Sequence, residues 1–295
     1  MNYKEKLTVI VVTFHSNEII ESLIDQLDKS IKILIIENSK DLSLKLKLEE
    51  KYSNVEVVIP DNNIGVGAAI NIGLKKTKTK YSLQLSADVM IEKNMIQSLL
   101  EIADKIKNFS IIAPRDHDYH YRNEMYVNPL NKNKLNEMNL VAGYAMLINM
   151  EKISEIGYFD ENIFLYYEEF DFCIRCKKKK LPIYLFDEAK ITHKGNSSVN
   201  QRYNRQIEIN RNWHYCWSKF YFFKKHYGYF YGLKKTFPNL FRSLKKCIYY
   251  IITGNIEKFL IQKAEIQGLF CSYCLSKSFY RPRIKFQKNC GHTFQ

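Results

Sequence analysis

Three carboxylates, Glu168, Glu169 and Asp171, lie within four residues of each other in an aromatic-rich segment that begins at Gly157. Acidic residues here and lysines at 177–180 are typical of the two ends of an α-helix, because each set of charges suits the helix dipole. A capped surface helix would account for this pattern. The flanking residues are aromatic, however, and an apolar environment makes a carboxylate more basic. The segment is therefore a candidate source of a general base.

A second group of polar side chains follows the predicted buried strands, each at the point where a strand ends. Thr13 and His15 follow the first strand, Glu37 and Asn38 the second, and Asp88 the fourth. In open α/β sheets, ligands bind beyond the carboxyl ends of the strands. Although Asp88 alone could be an ordinary turn residue, the group together predicts a ligand-binding rim.

The elements that would position these residues alternate along the chain. Continuous apolar, β-branched runs predict strands at residues 7–13, 31–36, 55–59, 81–85 and 110–113. Segments of helical periodicity lie between or beside them, at residues 17–28, 42–51, 63–73 and 95–107. Alternation at these lengths predicts an α/β fold with a mostly parallel central sheet flanked by helices.

The chain becomes less regular after this alternation. Residues 115–138 are polar and include His117 and His120, so we predict a long connection near the site. Residues 140–148 predict a further strand that is interrupted at Gly143.

Composition divides the chain into two parts. Its 295 residues carry a net charge of +14, yet residues 193–295 hold 19 Lys and Arg against three Asp and Glu. This asymmetry indicates a polyanionic or membrane-surface partner for the last third. Seven scattered cysteines, no signal-like start and no apolar run long enough to cross a bilayer predict a cytoplasmic protein with reduced thiols.

The order of the motifs resembles glycosyltransferase family 2, the inverting GT-A enzymes, and most of all its rhamnosyltransferase-like branch. The resemblance covers about residues 7–198, and the basic last third lies outside it. The matching motifs lie at residues 11–16, 37–39, 63–73, 86–88, 157–161, 164–175 and 191–198. Each motif alone is weak evidence, but seven in the order of the family are specific.

The resemblance implies a GT-A fold with a Rossmann-like nucleotide-binding half. A catalytic domain would cover residues 1–200, with a nucleotide-sugar-binding half at about 1–113 and an acceptor-side half at about 114–200. Residues 201–295 would form a basic, aromatic, helical extension.

The resemblance also implies roles for particular residues. Glu169 would be the base that activates the acceptor hydroxyl, and Glu168 would brace the site or contact the acceptor. A divalent cation, Mg²⁺ or Mn²⁺, would be held by Asp88 and His193. The nucleotide sugar would contact Thr13, His15, Glu37, Asn38, Asn63, Gly65, Asn71 and Asp88. The acceptor side would include Gly143, Asp160, Glu161 and Asp171.

The implied reaction is transfer of a sugar, with inversion, from a nucleotide-diphosphate sugar such as dTDP-rhamnose or a UDP-sugar. The acceptor would be a saccharide or a lipid-linked saccharide in the synthesis of a surface glycan such as O-antigen, capsule or cell wall polysaccharide. The sequence leaves the sugar, the linkage and the oligomeric state open.

Three departures from the family pattern suggest an alternative hypothesis, a catalytically inactive scaffold. The family has Asp where Glu37 stands, it has more polar residues in the triplet that ends at Asp88, and it has Asp where Glu169 stands. The extra methylene of Glu moves a carboxylate by roughly one carbon–carbon bond, about 1.5 Å, and such a shift can slow catalysis.

The basic last third raises alternatives of its own. A nucleic-acid-binding protein would use such a segment, but the sequence contains no recognised nucleic-acid motif, so we predict no nucleic-acid partner. Cys271, Cys274, Cys290 and His292 could bind zinc, but Cys-x-His is a poor ligand spacing for a zinc ribbon. Aromatic residues interleaved with Lys and Arg at about 202–246, including Trp213 and Trp217, instead predict peripheral association with an anionic membrane surface.

Overall fold

The structure is a computed structural model that describes residues 3, 5–120, 122, 125–127, 134–193 and 204–281. The chain divides into two compact units, residues 1–200 and residues 201–295. Every strand described belongs to the first unit, whereas the regular elements described in the second unit are all helices.

In the first unit, the described residues form one sheet of nine strands. Their bounds are β1 Leu7–Thr13, β2 Lys32–Glu37, β3 Val55–Val58, β4 Tyr81–Ser86, β5 Val89–Ile91, β6 Ile111–Asp116, β7 Leu135–Glu137, β8 Ala145–Asn149 and β9 Ile183–His193. The order across the sheet is β3-β2-β1-β4-β8-β6-β9-β5, with β7 also paired to β9. The first four strands in this order pair in parallel, whereas β8 runs antiparallel to β4 and β6.

Helices cover both faces of this sheet, as the sequence predicts. They are α1 Ile20–Ile24, α2 Leu42–Lys51, α3 Val66–Lys76, α4 Met95–Ile106, α5 Ile153–Ile156 and α6 Glu168–Lys178. Alternate residues of β1 point to opposite faces, so Val9 packs in the core beneath α1, α2 and α4, and Ile10 packs in the core beneath α3, α5 and α6. The predicted α/β fold class is confirmed.

The structure differs from the sequence-based prediction at several elements. Helix α1 is only five residues long, although periodicity extends over residues 17–28. The strand predicted at 140–148 begins at Ala145, because the residues around Gly143 form a turn. The sequence analysis also missed β9, in which few residues are β-branched, and the three-residue strands β5 and β7 that pair with it.

The second unit contains three long helices among its described residues. They are α7 Asn204–Tyr227, α8 Tyr229–Ile252 and α9 Ile256–Tyr273. Trp213 and Trp217 are buried with residues of α9, so neither tryptophan is a surface anchor. No described helix has both the length and the apolar character needed to cross a membrane.

A buried histidine joins α7 to the residues that follow α9. One ring nitrogen of His214, Nε2, donates to the Tyr280 carbonyl oxygen, and the other, Nδ1, accepts from the Ser278 hydroxyl at 3.0 Å. Burial lowers the pKa of His214 to about 3, so the imidazole is neutral. The indole nitrogen of Trp217 donates to the Ser276 carbonyl oxygen in the same region.

Close packing of α7 on α9 depends on Gly268, because a Cβ atom there would overlap the Trp213 carbonyl oxygen. We expect Gly268→Ala to lower the free energy of unfolding by about 1–3 kcal/mol, the usual cost of overpacking, despite the higher helix propensity of Ala. Urea unfolding followed by circular dichroism measures this change. Gln267→Ala, at the neighbouring exposed position, is the control and should be close to neutral. Equal stability of the two variants would show that the helices do not approach this closely.

Candidate active site

The first turn of α6 carries the two carboxylates that the sequence singles out. Glu168 is buried and Glu169 is half-buried. The two residues before them, Tyr166 and Tyr167, both have the left-handed backbone conformation, with φ of 63° and 71°. This conformation is costly for residues other than glycine and tends to occur at functional sites. The strained turn sets the direction in which α6 begins.

Two glycines make room for these carboxylates. A Cβ atom on Gly67, in the first turn of α3, would lie 3.5 Å from Cβ of Glu168. A Cβ atom on Gly143, just before β8, would lie 3.2–3.4 Å from the side chain of Glu169. Glu168 is therefore packed against α3 and Glu169 against the turn before β8. The structure thus places Gly143, which the sequence analysis assigned to the acceptor side, in contact with Glu169, the predicted base.

The environment makes both carboxylates weak acids. Burial raises the pKa of Glu168 well above its usual value, and the neighbouring charge of Glu169 raises this pKa further. Burial also raises the pKa of Glu169. One carboxylate oxygen of Glu168, Oε2, has no hydrogen-bond partner among the residues that the structure describes. A carboxylate with a raised pKa is a stronger base, which suits proton abstraction.

The third carboxylate of the helix has a structural role. Asp171 is fully buried and accepts from Nε of Arg175 at 2.9 Å. The same guanidinium donates to the carbonyl oxygens of Ile156, Gly157 and Tyr158. The ion pair therefore ties α6 to the turn after α5.

Asn71 also braces this region. Its side chain accepts from the backbone N–H of Phe159 and donates to the carbonyl oxygen of the same residue, both at 2.9 Å. It also donates to the carboxylate of Glu161 at 3.0 Å. Asp160, between these residues, accepts from Asn162. Asn71, Asp160 and Glu161 therefore hold the segment that leads into α6, although the sequence analysis assigns Asn71 to the nucleotide.

The polar residues at the ends of β1 and β2 form a second cluster. The carboxylate of Glu37 is fully buried and accepts from the Thr13 hydroxyl at 2.5 Å and from the Ser39 backbone at 2.6 Å. The Ser39 hydroxyl donates to it as well. Glu37 therefore orders the loop after β2.

Asn38 connects this cluster to the start of α3. Its side-chain nitrogen donates to the Gly65 carbonyl oxygen at 3.2 Å, and its side-chain oxygen Oδ1 is buried without a partner among the described residues. Asn63 accepts from the Gly65 backbone N–H. His15, with a positive φ of 53°, donates its backbone N–H to Ser39, and burial lowers the pKa of its imidazole.

Asp88 and His193 form the third cluster. Residue 193 pairs with residue 89 where β5 meets β9, and the pairing brings Nε2 of His193 to 3.3 Å from a carboxylate oxygen of Asp88. The ring of Tyr144 stacks on His193 at 4.2 Å between ring centroids. No group of three or more His, Cys, Asp or Glu side chains within the described residues could hold a metal ion. Two protein ligands still suit Mg²⁺ or Mn²⁺, which usually keep waters and substrate phosphates as further ligands.

The sequence analysis missed three features of the site. Tyr144 carried no signal beyond its place after Gly143, and the left-handed turn at Tyr166 and Tyr167 has no signature without glycine. The role of Ser39 depends on contacts made after folding.

Residues 194–198 of the last motif, together with Cys290 and His292 of the zinc hypothesis, lie outside the described residues. Cys271 is partly buried and Cys274 is exposed.

Solved structures share this fold. One is GalNAc-T7 with UDP, GalNAc and Mn²⁺, with a TM-score of 0.54 and 18% identity over 72% of this chain and 50% of that one. Another is mannosyltransferase PcManGT from Pyrobaculum calidifontis with GDP-Man and Mn²⁺, with a TM-score of 0.55 and 13% identity over 90% and 86%. The chain therefore has the GT-A fold of glycosyltransferases.

Sequence comparison identifies the family. The model of glycosyl transferase family 2 matches residues 8–176, more than half of the chain. The chain belongs to this family.

Curated relatives are more distant in sequence. The low-salt glycan biosynthesis hexosyltransferase Agl10 of Haloferax volcanii is 25% identical over 61% of this chain, and the match spans 64% of that relative. The dTDP-rhamnosyl transferase RfbF of Shigella flexneri is 23% identical over 64% of this chain and 70% of its own length. The chain thus spans less than two thirds of the first of these relatives.

The raised pKa of Glu168 leads to a prediction about stability. The folded protein binds more protons than the unfolded chain between the ordinary Glu pKa of about 4.3 and the raised pKa. The free energy of unfolding therefore falls as pH rises through this window. Glu168→Gln removes the buried charge, so we expect its stability relative to the unchanged protein to increase from pH 5 to pH 8. Urea unfolding at both pH values measures this difference.

Glu50→Gln, at an exposed position, is the control and should show no such trend. A stability difference for Glu168→Gln that stays constant with pH would contradict the raised pKa.

Proposed function

We propose that this protein is a glycosyltransferase that transfers a sugar from a nucleotide-diphosphate sugar to a hydroxyl group, with inversion at the anomeric carbon. The observation that carries the proposal is the adjacent pair of buried Glu168 and half-buried Glu169, held between Gly67 and Gly143 in a chain of glycosyl transferase family 2. The acceptor would be a saccharide or a lipid-linked saccharide in the synthesis of a surface glycan.

Glu169 is the proposed base. Its raised pKa lets it accept the proton of the acceptor hydroxyl as that oxygen attacks the anomeric carbon. Its contact with Gly143 limits the positions that the carboxylate can take. Glu168 lies deeper and contacts α3, so we assign it to bracing the base and keeping it partly desolvated. Successive helical residues point about 100° apart, which separates the two roles.

Asp88 and His193 are the proposed ligands of a divalent cation. The stacked ring of Tyr144 limits rotation of the imidazole, and the pairing of β5 with β9 holds both residues. When bound, such a cation neutralises charge that develops on the departing diphosphate. The Mn²⁺ in the structures of GalNAc-T7 and PcManGT supports the use of a divalent cation.

The loop after β2 is the proposed nucleotide site. Glu37 is buried and holds this loop through hydrogen bonds from Thr13 and Ser39. It would therefore affect nucleotide binding only through the shape of the loop. Asn38 has a buried side-chain oxygen without a partner among the described residues, and the His15 backbone donates to the neighbouring Ser39. Asn63 and Gly65 form the adjacent turn at the start of α3.

The relatives narrow the donor only to a class. Agl10 is a hexosyltransferase and RfbF a dTDP-rhamnosyl transferase, so hexose and rhamnose donors both deserve testing. We also propose that the protein works at the cytoplasmic face of a membrane as a peripheral protein, supported by the positive charge of residues 193–295. A catalytically inactive scaffold is the competing hypothesis, since this chain has Glu169 where the family pattern has Asp.

The base assignment predicts the behaviour of Glu169→Gln. The amide keeps the size of the side chain but cannot accept the proton, so we expect the transfer rate to fall about 10²–10⁴-fold while binding of the nucleotide sugar changes little. Release of nucleoside diphosphate from a panel of dTDP-, UDP- and GDP-sugars measures the rate, and thermal stabilisation measures binding.

Glu155→Gln, at an exposed position, is the control and should retain full activity. Near-complete turnover by Glu169→Gln would remove Glu169 from the reaction. No turnover by the unchanged protein with any donor or cation would favour the inactive scaffold.

The metal assignment predicts that a chelator abolishes activity and that Mn²⁺ restores it. Asp88→Asn removes one hard anionic ligand, so we expect the Mn²⁺ concentration for half-maximal activity to rise at least about tenfold. Asp61→Asn, in an exposed turn, is the matched control. Unchanged activity in excess chelator would show that Asp88 has another role.

A further inference from the structure

Helix α8 of the second unit presents apolar side chains to solvent along most of its length. Phe230 is 83% exposed and Ile248 is 61% exposed, values unusual for such large apolar residues. Five of the exposed apolar residues of α8 recur at helical spacing, namely Phe230, Phe237, Phe241, Leu244 and Ile248. At 100° per residue they fall within an arc of about 60°, and they extend over about 27 Å. We call them the apolar stripe.

A stripe of positive charge runs beside the apolar stripe. Its members are Lys234, Lys235, Arg242, Lys245 and Lys246, and they fall within a neighbouring arc of about 120°. The amino group of Lys245 lies 4.4 Å from the centre of the Phe241 ring, so the two stripes are in contact. Helix α8 contains no Asp or Glu. Nothing within the helix neutralises this charge.

The rotation of α8 is set by its buried side. Gly232, Thr236, Leu240, Ser243 and Cys247 are its buried residues. The Thr236 hydroxyl lies 2.9 Å from the Tyr273 hydroxyl, and the Ser243 hydroxyl donates to Glu265 at 2.5 Å. These polar contacts with α9 would be lost if the helix turned its apolar stripe inward. The exposure of the stripe is therefore a consequence of the packing within this unit.

We propose that α8 docks this protein on an anionic lipid bilayer, with the apolar stripe at the level of the headgroups and acyl chains and the basic stripe against the lipid phosphates. A helix that lies in the interface needs both kinds of face, and α8 has them side by side. Tyr231 and Tyr249, both partly exposed, have the amphipathic rings that favour this depth.

The combination of positive charge and exposed apolar side chains on α8 favours a lipid bilayer over two other partners, a second copy of the chain and a nucleic acid. A second copy of the chain, docked through the same face, would bring two basic stripes together, which costs free energy. A nucleic acid would match the charge but would leave the apolar stripe in water. The inference deepens the membrane location within the proposed function and rests on that part alone. It places the contact on α8, whereas the sequence analysis had included Trp213 and Trp217 of α7, which are buried.

Co-sedimentation of the full chain with vesicles tests the proposal without any nucleotide sugar. We expect binding to vesicles of phosphatidylcholine and phosphatidylglycerol, weak binding to phosphatidylcholine alone, and release as salt rises. Reversing Lys234, Lys235, Lys245 and Lys246 to Glu should weaken binding more than a hundredfold, because each base contributes about fivefold near an anionic surface. Reversal of four exposed lysines of the first unit, Lys29, Lys78, Lys93 and Lys105, gives the same net charge and should weaken binding far less.

A second pair of variants tests the apolar stripe. Phe241→Ser combined with Ile248→Ser should weaken binding at least about tenfold at low salt, because apolar burial is lost. Leu42→Ser combined with Leu46→Ser, at exposed positions of α2, is the matched control and should bind like the unchanged protein. Circular dichroism checks that every variant is folded. The salt dependence is measured on the unchanged protein and so does not depend on the folding of any variant.

Three outcomes would overturn the proposal. The first is failure of the unchanged protein to prefer anionic vesicles, and the second is equal loss of binding in the two lysine variants. The third is a concentration-dependent dimer in sedimentation velocity that disappears with Phe241→Ser and Ile248→Ser, since this would assign the stripe to a second copy. Release of nucleoside diphosphate from a donor panel, assayed without vesicles, reports on catalysis separately.

Discussion

The candidate active site depends on close contact between the segment at residues 159–168 and the glycines at the start of α3. A Cβ atom on Gly65 would overlap Phe164, whose carbonyl oxygen accepts from the Val66 backbone at 2.9 Å. Gly65 also has a φ of +87°, which side-chain-bearing residues rarely adopt. Since Asn38 donates to the same glycine, one short stretch of chain connects the loop after β2 to the proposed base. The polar cluster at the ends of β1 and β2 and the two carboxylates of α6 are thus parts of one packing arrangement.

This arrangement buries charge at a cost in stability. Two adjacent carboxylates in an apolar setting raise each other's free energy when ionised, and Glu168 has an oxygen without a described partner. The pair formed by Asp171 and Arg175 has the opposite character, because three backbone carbonyl oxygens complete the bonding of its guanidinium. Within one helix, the ion pair of Asp171 and Arg175 is fully hydrogen-bonded and anchors the backbone, whereas Glu168 keeps a buried oxygen without a described partner. Proteins commonly accept such local instability where a group must react.

In the second unit, the aromatic residues are divided between a buried set and an exposed set. Trp213, Trp217 and Phe220 fill its interior, and Gly268 allows α7 and α9 to approach each other. The aromatic residues of α8 remain outside because small and polar residues occupy the buried side of that helix. Composition alone cannot make this division, since both sets are aromatic residues interleaved with lysine and arginine.

Local patterns in the sequence determined much of the molecule. Runs of β-branched residues placed β1 to β4 within a residue or two, because a strand buried on both faces must be apolar throughout. Acids followed by bases located α6, and the order of short motifs indicated glycosyl transferase family 2. Only tertiary structure decided which of the candidate side chains meet. Examples are the hydrogen bonds that satisfy the Glu37 carboxylate, the contact of Gly143 with Glu169, the stacking of Tyr144 on His193 and the burial of both tryptophans. Each of these joins residues from different elements of the fold. Local propensity carries no information about such contacts, because they depend on how whole strands and helices pack.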